Sequence, residues 1–414
     1  MRIIHTADWH IGQTLAGYAR DHEHRAVLAS LARIAEEREA DALVIAGDVF
    51  EHQNPSGEAQ RLFYETLVAL KRARPSMTIV VIAGNHDAAG RLEAPRILLE
   101  SLGVHVVGSV RRVNGRIVDA VRHLIPLPAA NGECAANVLA VSHPTAACLP
   151  PFGSLSAVEG ASPVVHGTRE LYATLMQETG AGRDGLPLVA TGHLHVAGGT
   201  ESDGAERRIL VGGQHAVPSS VFPDEAAYVA LGHLHKAQKI GGEKVRYSGS
   251  LMPLSASEID YRHGVMLVSL EASGAAAEHV DIPRPVDFLR LPNKGAMHLD
   301  ELGDHLKALD LPKEIDAAHR PFVSVRISQA GAHAGARAEI DQIASKFPVR
   351  VVDSRIVAPE AAAAHEHAEP ILRLTELDPE DLFRKAFEKT HKRAPGEAHL
   401  DAFHRAAAEA AEGA

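Results

Sequence analysis

This chain of 414 residues has little that would mark a secreted or membrane protein. It carries only two cysteines, Cys134 and Cys148, and no Cys-x-x-Cys pair. That excludes a disulfide scaffold and a thiolate zinc site, and it fits a reducing compartment; the expectation is a cytoplasmic protein. No apolar run reaches membrane-spanning length, and the opening MRIIHTADWH reads as a buried strand and not as a signal peptide. Aromatic residues make up 4% of the chain, with no aromatic interleaving that would build a stacking platform for single strands. A basic excess is missing as well. The formal net charge is −11, so a polyanion would have to be met by a local basic patch, bound metal or a partner. No tandem repeat of about 20–50 residues recurs.

Histidine is what the chain has in quantity, 26 in all. Two stretches, LVATGHLH ending at His195 and YVALGHLH ending at His235, spell the same apolar run followed by Gly-His-Leu-His. With no module repeated around them, they are a recurrence of local chemistry.

Apolar runs of strand length alternate with amphipathic helical segments through the first half. RIIHTA, ALVIAG and TIVVIAG are strands; the helices run through HEHRAVLASLARIAEEREA, GEAQRLFYETLVALKRA and EAPRILLESLG. From Val104 the segments shorten and strands such as LPLVATG, AYVALG and GVMLVSL dominate. The pattern predicts a layered α/β domain with its sheets covered by helices, over residues 1–282. The prolines of IPRPVDFL mark its end. A small α/β unit follows over 283–357, then an Ala/Glu-rich linker over 358–375 and two short helices over 376–414. Leu382, Phe383, Phe387, Leu400 and Phe403 mark the apolar faces of that tail. Helices so short are unstable alone, so the tail either docks a partner or packs on a domain.

Five apolar strands end in metal-ligand chemistry: Asp8-Trp9-His10, Gly47-Asp48, Gly84-Asn85-His86-Asp87, Gly192-His193 and Gly232-His233-Leu234-His235. Loops at the carboxyl ends of strands are where α/β sheets bind ligands. Residues i and i+2 of an extended chain lie on one side, so Asp-x-His and His-x-His can both face one ion. Aspartate, asparagine oxygen and imidazole together suit manganese, iron or zinc. A lone Gly-Asp after a strand is as a rule only a turn, and a lone His-x-His is often a satisfied polar rim. Five in a row at strand ends are not independent turns.

In this order the motifs resemble those of the calcineurin-like metallophosphoesterases. The fuller strings MRIIHTADWHIGQ, DALVIAGDVFE, AGNHD, YVALGHLHKAQ and VRYSGS are similar to the nuclease subunits that work with an SMC-like coiled-coil ATPase. The likeness is close over the first two thirds and weaker beyond. It implies a double-layered β-sandwich flanked by helices, a small α/β capping domain and a helical tail. It implies two divalent metal ions, most simply manganese. Asp8, His10 and His235 would bind the first, Asn85, His193 and His233 the second, and Asp48 would bridge them. His86 would be the acid/base residue at the scissile phosphate, with Asp87 orienting it or capping the next helix. His195 would lie outside the ligand set, facing solvent or hydrogen-bonded behind it. Relatives carry a substrate-contacting histidine soon after Gly-Asp; His52, in GDVFEHQNPS, is either that residue or plain polar loop.

The implied activity is hydrolysis of DNA, as a 3′-5′ double-strand exonuclease and a single-strand or hairpin endonuclease in DNA end processing, repair and recombination. Arg111, Arg112 and Arg116 form a basic hairpin that could contact DNA phosphates, with Arg91, Arg96 and Arg122 as a rim; a solvated turn is the plainer reading. The resemblance also implies a homodimer. It would be built on helices carrying Leu62, Phe63, Leu67 and Leu70, and Ile97, Leu98, Leu99 and Leu102, whose apolar faces should mostly pack on the sheet. Two such dimer halves with two ATPase copies would make a heterotetramer, with the tail docked on the ATPase coiled coil. The competing readings are a phosphoesterase for a small phosphodiester or phosphoprotein, and a catalytically silent DNA-end tether.

Overall fold

The computed structural model describes residues 1–113, 116–129, 131–145, 147–149, 163–182, 184–202, 216–271, 274–312, 314–331, 333, 335–357, 383–384, 387, 393, 395–396, 399–400 and 402–403. Two six-stranded sheets lie face to face. The first runs in the order Gly274–Asp281, Gly264–Glu271, Arg2–Thr6, Ala42–Ala46, Thr78–Ile82, Val104–Val107. Its last four strands are parallel. The second runs Gln238–Lys239, Val245–Tyr247, Ala226–Gly232, Leu188–His193, Cys134–Leu139, Leu124–Pro128, with a parallel centre.

Strand periodicity divides the apolar residues between layers. In the first sheet Ile3, Val44, Ala46, Val80 and Ile82 meet Ile125, Val138, Val189 and Ala230 of the second sheet. Their neighbours Ile4, Leu43, Ile45, Ile79 and Val81 face outward, under the helices Asp21–Glu37 and Gly57–Ala73. The second sheet buries its outer face, including Leu139, Ala190 and Leu231, against the helix Pro163–Thr179 through Leu171, Tyr172 and Leu175. The four layers are thus helix, sheet, sheet, helix, as expected for the layered α/β domain. The helix Pro163–Thr179 had no counterpart in the sequence reading, because Gly and Thr interrupt its apolar pattern.

The helix expected through EAPRILLESLG is two five-residue helices, Ala89–Glu93 and Arg96–Glu100. Pro95 lies between them; it has no N–H to continue the first. A helix that short turns one side to the core. Leu99 is buried, but Ile97, Leu98 and Leu102 are 78%, 73% and 53% exposed. Leu62, Phe63, Leu67 and Leu70 are all buried, as expected. Beyond Ile282 a parallel three-stranded sheet, Phe288–Leu291, Phe322–Ser328 and Arg350–Val357, packs its own core against the helices Leu302–Lys307 and Ala336–Ala344. It touches the first unit where Phe288 and Phe322 pack against Leu15 of the small ribbon Thr14–Leu15/Tyr18–Ala19, and the Arg350 guanidinium lies 3.7 Å from the Phe322 ring centroid. The linker expected at 358–375 lies outside the described residues, as do Leu382 and most of the tail. Phe383 and Phe403 stack with centroids 4.8 Å apart, so the two tail segments meet.

Several histidines are built in as neutral groups. His5 crosses between the sheets, its Nε2–H donating to the Leu231 carbonyl (3.1 Å) and its Nδ1 accepting from the Tyr228 hydroxyl (3.0 Å). Burial pushes its pKa down to about 3, and that of His263 down to about 4. Both folded values lie below the unfolded value, so the stability they allow is complete above about pH 6.5 and is lost as pH falls toward 4. Urea denaturation should show a loss on the order of 2 kcal/mol per histidine between pH 7 and pH 5. His5→Asn should flatten that dependence; an identical slope in the variant would refute the role given to His5.

Candidate metal centre

The carboxyl ends of both parallel sheet centres converge, and the loops at these ends are tied to one another by hydrogen bonds from their backbone N–H groups. Asp8 N–H donates to the Gly47 carbonyl (3.1 Å), His10 N–H to Asp48 O (3.0 Å) and His233 N–H to Asp8 Oδ1 (3.0 Å). Asp8, His10, Asp48 and His233 all have positive φ, between 46° and 105°. Non-glycine residues adopt this region at a cost, and surrounding bonds must hold them there. Asp87 supplies much of that hold. It neither orients His86 nor caps the next helix. Its carboxylate instead accepts N–H groups from Val49 (3.1 Å), Phe50 (3.0 Å) and Gly84 (2.9 Å), clamping the second loop to the third. Burial, with the nearby Asp48 charge, raises its pKa to about 6. Gly84 is required at its position because a Cβ there would fall on the Asp48 carboxylate.

The residues expected to hold metals come together. Ligand atoms of Asp8, His10 and His235 lie within 4.8 Å of one another, and so do those of Asp8, Asp48 and His193. Asn85 Oδ1 lies 3.0 Å from His193 Nε2 and 3.1 Å from His233 Nδ1. Asp48 stands between the two groups, with Oδ2 3.2 Å from His193 Nε2 and 3.6 Å from His10 Nε2. His86 is within the same 4.8 Å of His10 and Asp48; its Nδ1–H donates to the Glu51 carbonyl (2.8 Å), which leaves Nε2 for chemistry. His10 Nε2 is buried and makes no hydrogen bond. A buried ring nitrogen without a hydrogen-bond partner, among converging carboxylate oxygens, fits a divalent-metal centre.

The electrostatics agree. Burial raises the pKa of Asp8, whereas His193, His10 and His86 overcome burial at Asp48 and hold its carboxyl well below the usual range. Burial opposes the His193 cation, but Asp48 and Asp8 keep its pKa up at about 9. Burial lowers that of His86.

The other expected contacts stand apart. His52 is exposed on the loop after Glu51. Arg111 and Arg116 are exposed on or beside a two-stranded ribbon, and Arg112 is half-buried, donating to the Cys148 carbonyl (2.8 Å). None of the four has a described contact with the ligand cluster. Arg96 and Arg122 are paired with Glu100 and Glu93, and Arg91 with Asn54. His195 Nδ1 lies 3.1 Å from the Glu201 carboxylate.

Three residues at the site went unread in the sequence. Glu51 accepts from His10 Nδ1–H (2.8 Å) and Glu258 from His235 Nδ1–H (2.9 Å). His143 donates from Nδ1 to the His193 carbonyl (2.8 Å), with burial lowering its pKa to about 4. His143 follows the apolar run NVLAV, the same pattern that exposed the other motifs. Glu258 offered no such signal, since it lies in a turn 23 residues beyond its histidine.

Residues 1–237 match the family model described as calcineurin-like phosphoesterase, and residues 284–391 the one described as type 5 capsule protein repressor C-terminal domain. The chain is 48% identical to the SbcD subunit of the SbcCD nuclease of Rhodobacter capsulatus over 94% of each chain. It is 40% identical to the SbcD subunit from Bacillus subtilis, over 65% of this chain and 66% of that one. For the Escherichia coli protein the identity is 33% over 68% of each.

Gly84→Ala should abolish divalent-metal binding, read by isothermal titration with manganese, because Asp48 must move. Gly57→Ala, where a Cβ meets nothing within 4 Å, is the control and should bind as the parent chain does. Unchanged binding in Gly84→Ala would show that the loop relaxes freely.

Proposed function

The chain belongs to the calcineurin-like phosphoesterases, and within them to the SbcD family of nuclease subunits; from that membership we propose that it is a two-metal phosphodiesterase acting on DNA, the nuclease subunit of a complex with an SbcC-like coiled-coil ATPase. The observation that carries the reading is the convergence of Asp8, His10, Asp48, Asn85, His86, His193, His233 and His235 on one buried cluster. The substrate reading is a 3′-5′ double-strand exonuclease and a single-strand or hairpin endonuclease, working in end processing, repair and recombination in the cytoplasm. Among the described residues no helix is long and apolar enough to cross a membrane.

Asp8, His10 and His235 would hold one divalent ion, and Asn85, His193 and His233 the other, with Asp48 shared between them. Manganese suits this mixture of carboxylate, amide oxygen and imidazole. When bound, the ions would offset the phosphate's negative charge and make a water more acidic. The chain's own contribution to bond cleavage is His86. Glu51 O fixes its ring through Nδ1–H, so Nε2 is the atom that would take a proton from the attacking water and pass it to the leaving 3′-oxygen.

The domain reading keeps the nuclease unit at 1–282, the capping unit at 283–357, the linker at 358–375 and the docking tail at 376–414. A change of family match between residues 237 and 284 supports the first boundary. The exposed Ile97, Leu98 and Leu102 support a homodimer on that helix, and hence a heterotetramer. For DNA contacts we keep His52, Arg111, Arg112 and Arg116 as a surface reading; the spent Arg112 fits it least.

An end-labelled DNA hairpin incubated with manganese should be cut, and EDTA should stop the cutting. His86→Ala should lower the rate by about 10²–10⁴-fold with manganese binding retained. Asp48→Ala should lose both; equal manganese binding by the two variants would refute Asp48 as the shared ligand. Deleting residues 378–414 should end co-purification with the ATPase while leaving hairpin cutting intact, and undiminished co-purification would place the docking surface elsewhere.

A further inference from the structure

The two halves of the cluster are backed differently. Both histidines of the first metal group donate Nδ1–H to a carboxylate, His10 to Glu51 (2.8 Å) and His235 to Glu258 (2.9 Å). In the second group, His193 Nδ1–H donates to a neutral carbonyl, that of Ala46 (2.8 Å), and His233 turns Nδ1 itself toward Asn85. The third ligand differs in the same sense, being the carboxylate Asp8 in the first group and the amide Asn85 in the second.

Neither glutamate is a loose surface partner. Glu258 is fully buried; its other oxygen accepts from Leu254 N–H (2.8 Å), and its carbonyl is bonded by His263 (3.2 Å). Its turn is pinned from the small C-terminal unit, where Arg284 donates to the carbonyls of Ile259 (2.6 Å) and Tyr261 (2.9 Å) and Arg290 pairs with Asp260 (2.8 Å). Glu51 is half-buried and does two things: its side chain holds His10 and its carbonyl holds His86.

A carboxylate behind an imidazole fixes the ring, commits Nδ1 to the donor role and raises the basicity of Nε2 toward a cation. Its charge also adds to the attraction. We propose that Glu51 and Glu258 are positioning residues that make the Asp8–His10–His235 group the tighter of two unequal metal sites, filled first, with the Asn85–His193–His233 group filled second. The ranking rests on the ligand assignment under "Proposed function".

The test is manganese binding by the full chain, read from the electron paramagnetic resonance signal of free ion. The parent chain should show a tight and a weak ion. Asn85→Ala should keep the tight one, and His235→Asn should lose it. Adding Glu51→Gln or Glu258→Gln to Asn85→Ala should weaken the remaining ion by about 10–100-fold. Adding Glu51→Gln to His235→Asn should change the remaining ion far less. Glu51 is partly solvent-exposed, so its variant serves even where the Glu258 variant fails to fold. Retention of the tight ion in His235→Asn and its loss in Asn85→Ala would overturn the ranking alone. No loss of an ion in either single variant would overturn the ligand assignment, and the ranking with it.

Discussion

Two carboxylates and a cage of imidazoles are buried where the sheets meet, and the molecule is organised around keeping them there. An isolated carboxylate in such a place would take up a proton. Asp48 does not, because His193, His10 and His86 surround it; Asp8 is less well compensated, and burial raises its pKa. Buried carboxylates facing buried imidazole nitrogens are the signature of a cation-binding cluster and a poor way to stabilise a fold. The remedy for the backbone is local. Asp8, His10, Asp48 and His233 occupy left-handed conformations, held by loop-to-loop hydrogen bonds and by the three-fold acceptor Asp87.

The double sheet makes this geometry possible. Each sheet brings its parallel strands to one end, and the thin layer of alanine, valine and isoleucine between them lets the two ends approach. The approach is close enough that Gly232 has no room for a side chain beside Ala7 and His193. Residues of the cluster separated by more than two hundred positions, such as Asp8 and His233, are thereby joined by a direct hydrogen bond. The described helices cover the two outer faces and contribute none of the clustered residues.

Sequence reading found the layered fold and the clustered polar residues because both are written locally. A strand is a short apolar run, and each residue of the cluster sits at or just past its end. What it missed depended on distance or on a break. Pro95 split a helix whose apolar content looked continuous, and that left Ile97 and Leu98 outside. Asp87 looked like a cap for the next helix, yet its carboxylate turns back to Val49 and Phe50, some 37 residues earlier. Glu258 could not be told from any acidic turn residue until the fold carried it to His235. Polar side chains that act through a hydrogen bond have no periodicity to betray them.

The doubled Gly-His-Leu-His shows how far local spelling goes. The second histidine of each copy has a carboxylate on Nδ1, Glu201 for His195 and Glu258 for His235. Composition and partner therefore do not separate them. Backbone does. The first strand continues through His193, which pairs in register with Gly232 of its neighbour. The second strand ends at Gly232, and His233 takes φ 105°, bending the chain so that His233 and His235 both turn inward. His233 can hold that conformation because its N–H reaches Asp8, at the far end of the chain. One copy thus yields a single inward histidine and the other yields two, and the difference comes from a hydrogen bond whose acceptor, Asp8, lies outside both copies.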